Sequence, residues 1–256
     1  MIFSYSHQQV ILIKNDAFFE GGTGLSVGSF DGLHKGHRIL LKSLVDGCKK
    51  KSLKSGVVSF LRPLPSIKHS GDYKGDVSTL NQRLQLFEEL GIDFVILVDF
   101  DDSFSSMMGA DFLGILHNAC NMELLAEGID FRCGYKGATD TQAIKYWGQK
   151  NKVECIFVDP VFYREGTDEE ERISSSYIRQ MIQKGFFATV EELLERPFEI
   201  DLSVLNKGES AGQKIVQVLP PDGIYHTKSC DGEPVRLEIK NGKIVDVPNC
   251  NSIRFE

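Results

Sequence analysis

Residues 27–37 read Val-Gly-Ser-Phe-Asp-Gly-Leu-His-Lys-Gly-His, with an apolar lead-in from Leu25 to Phe30. His34 and His37 stand where a helix should begin, continued by the apolar spacing of Ile39, Leu40, Leu41, Leu44 and Val45. Residues three apart share one side of a helix, so the two imidazoles can point at one ligand. The free N–H groups and positive dipole end of a helix start favour an anion there. Gly36, between the histidines, lets a phosphate approach the backbone closely. Two histidines at this spacing, taken alone, equally describe a partial metal site or two surface side chains. The glycine-bracketed turn Gly28–Gly32 ahead of them turns the reading towards a phosphate site.

A second group lies far along the chain, in Arg172-Ile173-Ser174-Ser175-Ser176-Tyr177-Ile178-Arg179. Ser175 and Arg179 are one helical turn apart and face the same way. An arginine fork can hold two phosphate oxygens at once, whereas a serine at a helix start is equally an N-cap. Other motifs carry less. Gly22-Thr23-Gly24 followed by Gly28 misses the dinucleotide-binding spacing by one residue and precedes its strand. Gly24-Leu25-Ser26-Val27-Gly28 has the hydrolase-elbow pattern, but Ser26 falls inside an expected strand rather than at a strand-to-helix turn.

The elements that must position these groups alternate. Strands are expected at Leu25–Phe30, Gly56–Leu61, Phe94–Val98, Leu124–Ala126 and Val153–Val158. Helices are expected at His37–Lys50, Thr79–Leu90, Gly109–Asn121, Asp140–Gln149, Ser175–Lys184 and Thr189–Leu194. This predicts an α/β fold: a Rossmann-like parallel sheet with helices on both faces, binding its ligand beyond the carboxyl ends of the strands. Both the histidine turn and Asp130 follow expected strands. After Arg196-Pro197 the pattern changes to short runs at Lys214–Leu219, Gly223–His226, Val235–Lys240 and Lys243–Val247, with Asn241-Gly242 as a hairpin turn. The expected organisation is a main domain over 1–186, a linker helix over 187–199 and a small, mostly β C-terminal appendage over 200–256. Asp168–Glu171 reads as a solvated acidic loop, and Asp140 as a helix cap.

The formal charge of −7 over 256 residues gives no general attraction to nucleic acid or an anionic membrane. A nucleotide site must be basic locally, through Lys35, His37, Arg38, Lys136, Arg172 and Arg179. The six cysteines are scattered and form no CxxC, which suits buried thiols in a reducing cytoplasm. No apolar run approaches the roughly 20 residues needed to span a bilayer. The expected partners are small-molecule substrates, with neither nucleic acid nor membrane, and nothing in the sequence sets an oligomeric state.

With its HxGH turn, the chain resembles the HxGH nucleotidyltransferase superfamily, and within it the prokaryotic FAD synthetase family. Gly128-Ile129-Asp130-Phe131-Arg132-Cys133-Gly134 is similar to that family's Gly-x-Asp/Asn-Phe-x-Phe-Gly segment, with Cys133 departing from the usual phenylalanine. Arg172–Arg179 is similar to its Ile-Ser-Ser-Thr-x-Ile-Arg segment, and Thr79–Gly91 to its linking helix. The resemblance spans about residues 10–190 and implies transfer of AMP from ATP to FMN, giving FAD and pyrophosphate, with Mg2+ accompanying ATP. It implies catalytic roles for His34, His37 and Arg179. It further implies ATP contacts from Gly28, Ser29, Phe30, His34, Gly36, His37, Asp130, Arg172, Ser174, Ser175 and Arg179. The loop Phe60-Leu61-Arg62-Pro63-Leu64-Pro65 resembles the family's flavin loop with one extra residue, and so points to Phe60, Pro63 and Pro65. No dedicated carboxylate cage for the metal is evident. A related HxGH enzyme with another phosphorylated acceptor, or a non-catalytic flavin- or nucleotide-binding regulator, are the alternatives. Pieces of the tail resemble a riboflavin kinase module that is truncated and lacks its Gly-x-Pro-Thr-Ala-Asn motif, so no kinase activity is expected.

Overall fold

The structure, a computed structural model, describes residues 2–5, 19–61, 73–98, 102–203 and 216–255. Its elements fall into two compact units, and the chain passes between them more than once.

The first unit comprises residues 1–30, 37–64 and 84–160. Six parallel strands, β1 (Ile2–Tyr5), β2 (Thr23–Val27), β3 (Lys54–Phe60), β4 (Phe94–Val98), β5 (Met122–Gly128) and β6 (Glu154–Val158), are ordered β1-β4-β3-β2-β5-β6. The strands β2 and β4 are buried along their whole length and β3 almost so, as expected of strands covered on both faces. The helices are α1 (Lys35–Lys51), α2 (Leu80–Glu89), α3 (Asp102–Ser105), α4 (Gly109–Cys120) and α5 (Thr141–Asn151), of which the first residues of α1 and α2 are counted with the second unit. Leu40, Leu41, Leu44, Val45 and Cys48 form the buried stripe of α1. From β2 the chain steps to β3 and β4 on one side and later fills β5 and β6 on the other. The order therefore reverses at β2, and the turns leaving β2 and β5 are the switch-point turns where α/β sheets bind ligands. These are the turns that carry the histidine motif and Asp130.

The second unit comprises residues 31–36, 65–83 and 161–256. It contains the two-stranded pair β7 (Phe162–Tyr163) and β8 (Glu171–Arg172), then α6 (Ser175–Lys184) and α7 (Phe187–Leu194). A five-stranded antiparallel sheet follows, from β9 (Phe198–Asp201), β10 (Gly223–Ser229), β11 (Pro234–Lys240), β12 (Lys243–Val245) and β13 (Ser252–Phe255), ordered β12-β11-β10-β13-β9. Asn241 and Gly242 both adopt positive φ in the β11–β12 turn, and Asp222 accepts both of their N–H groups.

The compact units do not follow a boundary at residue 186. Ile178, Met181 and Ile182 of α6 share one buried cluster with Phe198, Ile253 and Phe255 of the sheet, so apolar burial draws residues 161–186 to the C-terminal strands. The expected linker region is α7 followed by β9. Of the run expected over Lys214–Leu219, residues up to 215 lie outside the described residues, and Gln217 forms only an isolated bridge with Asp76. The acidic run is exposed as expected, yet its end joins β8.

Candidate functional site

The histidine turn is built from strained backbone with anchored side chains. Gly28 N–H donates to Val58 O at 3.0 Å, and a Cβ at Gly28 would stand 3.1 Å from the Phe30 ring. Phe30 itself adopts φ +47° while buried, a conformation that costs an L-residue on the order of 1 kcal/mol or more. Its ring is held edge-on to Phe87 at 5.7 Å and to His37 at 5.2 Å. The side chain of Phe30 thus braces the His37 imidazole from the core side, and only its backbone is left to meet a ligand. Ser29 is half-buried, with its carbonyl 3.5 Å from Ser59 Oγ.

In the second unit, Asp31 is the residue on which the turn hangs. It is 2% exposed, and its carboxylate accepts Val77 N–H (2.9 and 3.1 Å), Ser78 N–H (2.9 Å) and Arg179 Nη2. Its own carbonyl accepts Ser175 Oγ at 2.8 Å. Next along, Gly32 takes φ +81°, where a Cβ would stand 2.8 Å from Val77 Cγ1. Gly32 N–H donates to Ser78 Oγ at 2.8 Å, and its carbonyl accepts Arg196 Nη2 at 2.6 Å. Arg196 also reaches Leu33 O at 3.4 Å and Leu194 O at 3.1 Å, tying the end of α7 to the turn. Sequence reasoning assigned nothing to Asp31 or Arg196.

His34 follows directly and is 6% exposed. Burial, with the charges of Arg172 and Arg196, pushes its pKa down from 6.5 to about 4, so the ring is neutral near pH 7. A Cβ at Gly36 would stand 3.4 Å from His34 Cε1 and Nδ1, so the glycine makes room for this ring as well as for a ligand. Arg172, in β8, is exposed, and its charge is felt at His34.

At the start of α6, Ser174 is the N-cap and accepts Tyr177 N–H at 3.2 Å. Ser175 is spent on Asp31 O, as above. Arg179 is buried, and its fork is engaged: Nε donates to Gly75 O at 2.7 Å, and Nη2 to Asp31 and to Tyr73 Oη at 3.3 Å. The guanidinium lies 5.0 Å from the Tyr73 ring centre. Nε and Nη2 are thus taken up by protein groups, so a phosphate contact from Arg179 falls to its Nη1 side. Asp76 accepts Tyr73 Oη–H, and burial pushes its carboxyl up to about 6. Arg83, fully buried on α2, feels the charges of both Asp31 and Asp76.

The other expected residues divide. Asp130 is exposed at the β5 turn. Phe60 is buried at the end of β3 and meets Phe104 edge-on at 6.2 Å, which makes it sheet core rather than a ring presented to a flavin. Pro63 and Pro65 lie outside the described residues. Asp140 caps α5 through Ala143 N–H at 3.0 Å, and Ser26 is fully buried in mid-strand, which removes the hydrolase elbow. Glu127, near the end of β5, is 1% exposed and accepts Val27 N–H at 2.6 Å. Burial holds its carboxyl well above the ordinary carboxylate range, against the opposing pull of the Val27 N–H. Among the described residues no group of three or more His, Cys, Asp or Glu side chains could hold a metal, and no helix is long and apolar enough to cross a membrane.

Comparison with known proteins adds to this geometry. The sequence profile of the FAD synthetase family matches residues 19–177. The bifunctional riboflavin kinase/FMN adenylyltransferase of Buchnera aphidicola subsp. Schizaphis graminum is 27% identical over 79% of this chain and 64% of its own length. The protein of the same description from Escherichia coli K12 is 31% identical over 80% of this chain and 67% of its own, and that of Bacillus subtilis 168 is 27% identical over 85% and 69%. The chain thus spans about two thirds of the length of the relatives it matches. The crystal structure of a macrolide-efflux protein from Streptococcus pneumoniae superposes with a TM-score of 0.70 over 91% of each chain, at 22% identity, a likeness of fold.

Proposed function

The chain belongs to the FAD synthetase family, and we propose that it transfers AMP from ATP to the phosphate of FMN, giving FAD and pyrophosphate, without phosphorylating riboflavin. A phosphate oxygen of FMN attacks the α-phosphorus of ATP, and the bond from that phosphorus to the β-phosphate bridging oxygen breaks in line. The nucleophile is already an anion, so no serine, cysteine or strong base is required of the protein. Alignment and compensation of charge are required.

The observation that carries the reading is the state of His34. A neutral, buried imidazole in a turn fixed by Asp31, Gly32 and Arg196 supplies a hydrogen-bond donor on a support that is already in place. His37, braced by Phe30, is the second donor, and the first turn of α1 adds its N–H groups. Arg172, exposed and electrostatically close to His34, is the cation best placed to draw the polyphosphate in. Asp130, on its exposed turn, is assigned to the nucleoside. Mg2+ enters with the substrate: it binds phosphate oxygens with few protein ligands and would neutralise polyphosphate charge when bound. A cytoplasmic location accords with this substrate pair.

The lack of a kinase step rests on the tail sequence. Leu219–Tyr225 resembles a flank of the kinase ATP–magnesium motif, but only Ile215-Val216-Gln217-Val218 stands where the threonine and asparagine of that motif belong. The experiment is direct: purified protein with Mg2+ and ATP is given FMN or riboflavin, and the flavins are separated. FAD from FMN, and no FMN from riboflavin, is the expected outcome. No FAD from FMN would refute the transferase reading, and FMN from riboflavin would refute the single activity.

A further inference from the structure

Arg179 poses an electrostatic puzzle. Its segment is the second half of the phosphate site in the reading above, yet a buried carboxylate is set against it and cancels much of its charge. A site built only to attract polyphosphate would leave that carboxylate out. The arrangement makes sense if orientation matters more than charge. Asp31 Oδ1 accepts Val77 N–H and Ser78 N–H at 2.9 Å each, which fixes the carboxylate plane, and Oδ2 then takes Arg179 Nη2. Gly75 O holds Nε at 2.7 Å from the other side. Among the described residues these bonds use Nε and Nη2, and none of them uses Nη1. The Asp31 carbonyl, in turn, holds Ser175 Oγ, and His34 lies three residues on.

We propose that Asp31 is a positioning residue for nucleotide binding: it fixes Arg179 so that the Nη1 edge meets the polyphosphate, and keeps the start of α6 in register with His34. It touches no substrate. This rests on the transferase reading and names the residue that sets the geometry of the nucleotide half of that site. Three segments far apart in sequence, at 31–34, 75–78 and 175–179, are joined through this one side chain and its own carbonyl.

Asp31→Asn is the discriminating variant. The amide oxygen keeps the contacts to Val77 and Ser78, while the NH2 group faces the N–H of Arg179, donor against donor. The variant is expected to fold and to lose roughly tenfold or more in kcat/KM for ATP, the scale of coupling between directly contacting charged groups, with KM for FMN unmoved. Arg179→Gln should act in the same direction, and the double variant should be no worse than the poorer single one. Asp222→Ala weakens the β11–β12 turn within the same unit, and should lower stability while leaving KM for ATP as it was. That control separates positioning from general loosening. Should Asp31→Asn not fold, Ser175→Ala cuts only the link to the Asp31 carbonyl and is expected to cost a few-fold in the same parameter.

Folded Asp31→Asn with wild-type kcat/KM for ATP overturns the inference, as do effects of Asp31→Asn and Arg179→Gln that multiply in the double variant, or an inert Ser175→Ala where the aspartate variant does not fold. A wild-type protein that makes no FAD sinks the transferase reading instead. Calorimetric titration with Mg·ATP then still decides the role of Asp31: weaker binding by Asp31→Asn sustains it, and equal binding ends it.

Discussion

The neutral state of His34 has a consequence that equilibrium unfolding can read. Its pKa drops from 6.5 to about 4 on folding, chiefly through burial and secondarily through the charges of Arg172 and Arg196. A gap of that size corresponds to about 3 kcal/mol of differential proton binding. The folded pKa is the lower one, so the unfolded chain binds the extra proton between pH 4 and 6.5. The contribution is fully present above 6.5 and is lost as pH falls towards 4. Asp76 works in the opposite sense: its carboxyl, raised from 3.8 to about 6, contributes stability at low pH that disappears as pH rises through that window. Wild-type stability alone would therefore blur the two. The difference between wild type and His34→Gln isolates the histidine, since Asp76 is common to both. Urea unfolding from pH 7.5 to 4 should show wild type losing about 3 kcal/mol more than the variant. Replacing Arg172 with alanine should shrink that difference, because one source of the shift is gone, while burial keeps most of it. The matching kinetic expectation is that kcat/KM carries no His34-dependent inflection near pH 6.5. Parallel stability curves for wild type and His34→Gln, or an NMR titration of His34 near its ordinary value, would refute the reasoning.

The remaining expectations are simpler. His37→Ala should lower FMN adenylylation by roughly a hundredfold or more with the fold intact, because the ring is half-buried against Phe30 and its loss removes a donor rather than core; near-normal turnover in a steady-state FAD assay would withdraw His37 from the site. Arg196→Ala should cost about 2 kcal/mol in denaturant unfolding, the scale of a charged hydrogen bond, and should let the His34 pKa rise, which NMR can follow. Glu127→Gln should be tolerated at neutral pH, because burial favours the uncharged form of the carboxyl it replaces. With the folded pKa raised, wild-type stability is lost as pH climbs, and the glutamine variant should show a flatter profile in unfolding from about pH 5 to 9.

Much of the scaffold was legible because it is locally coded. Phe94–Val98 is strand over the span its apolar run dictates, and Ser175–Lys184 is helix from a serine N-cap to a glycine in the left-handed conformation. Asn241-Gly242 makes the expected turn. At the other expected strands and helices the ends shifted by up to three residues, whereas β1, β7, β8, β9, β13 and α3 were not expected from the local pattern at all. β3, for example, starts at Lys54 because it pairs with Thr23 of β2. Phe60 misled for the same reason that the strand was readable: an aromatic at the end of a buried run is core by default, and its likeness to a flavin loop carried no information about which way the ring would face.

The candidate site was legible in its histidines and not in its support. Asp31 stood inside the motif, but its partner Arg179 is 148 residues away, and no local periodicity marks such a pair. Ser175 and Arg179 were expected to share a helical face, and they do turn to the same residue. That residue is Asp31 rather than a ligand, which a view confined to the helix has no means of anticipating. One signal was present. Arg83 falls three residues after Leu80 and four before Phe87, on the apolar face of α2, and an arginine there demands buried acidic company. Asp31 and Asp76 supply it. Following that demand from Arg83 would have led to the carboxylate that anchors the turn before His34, and from it to the reason Arg179 is fixed. The residues that contact phosphate announce themselves by spacing, whereas the residues that aim them are found by asking which buried charge lacks an answer nearby in sequence.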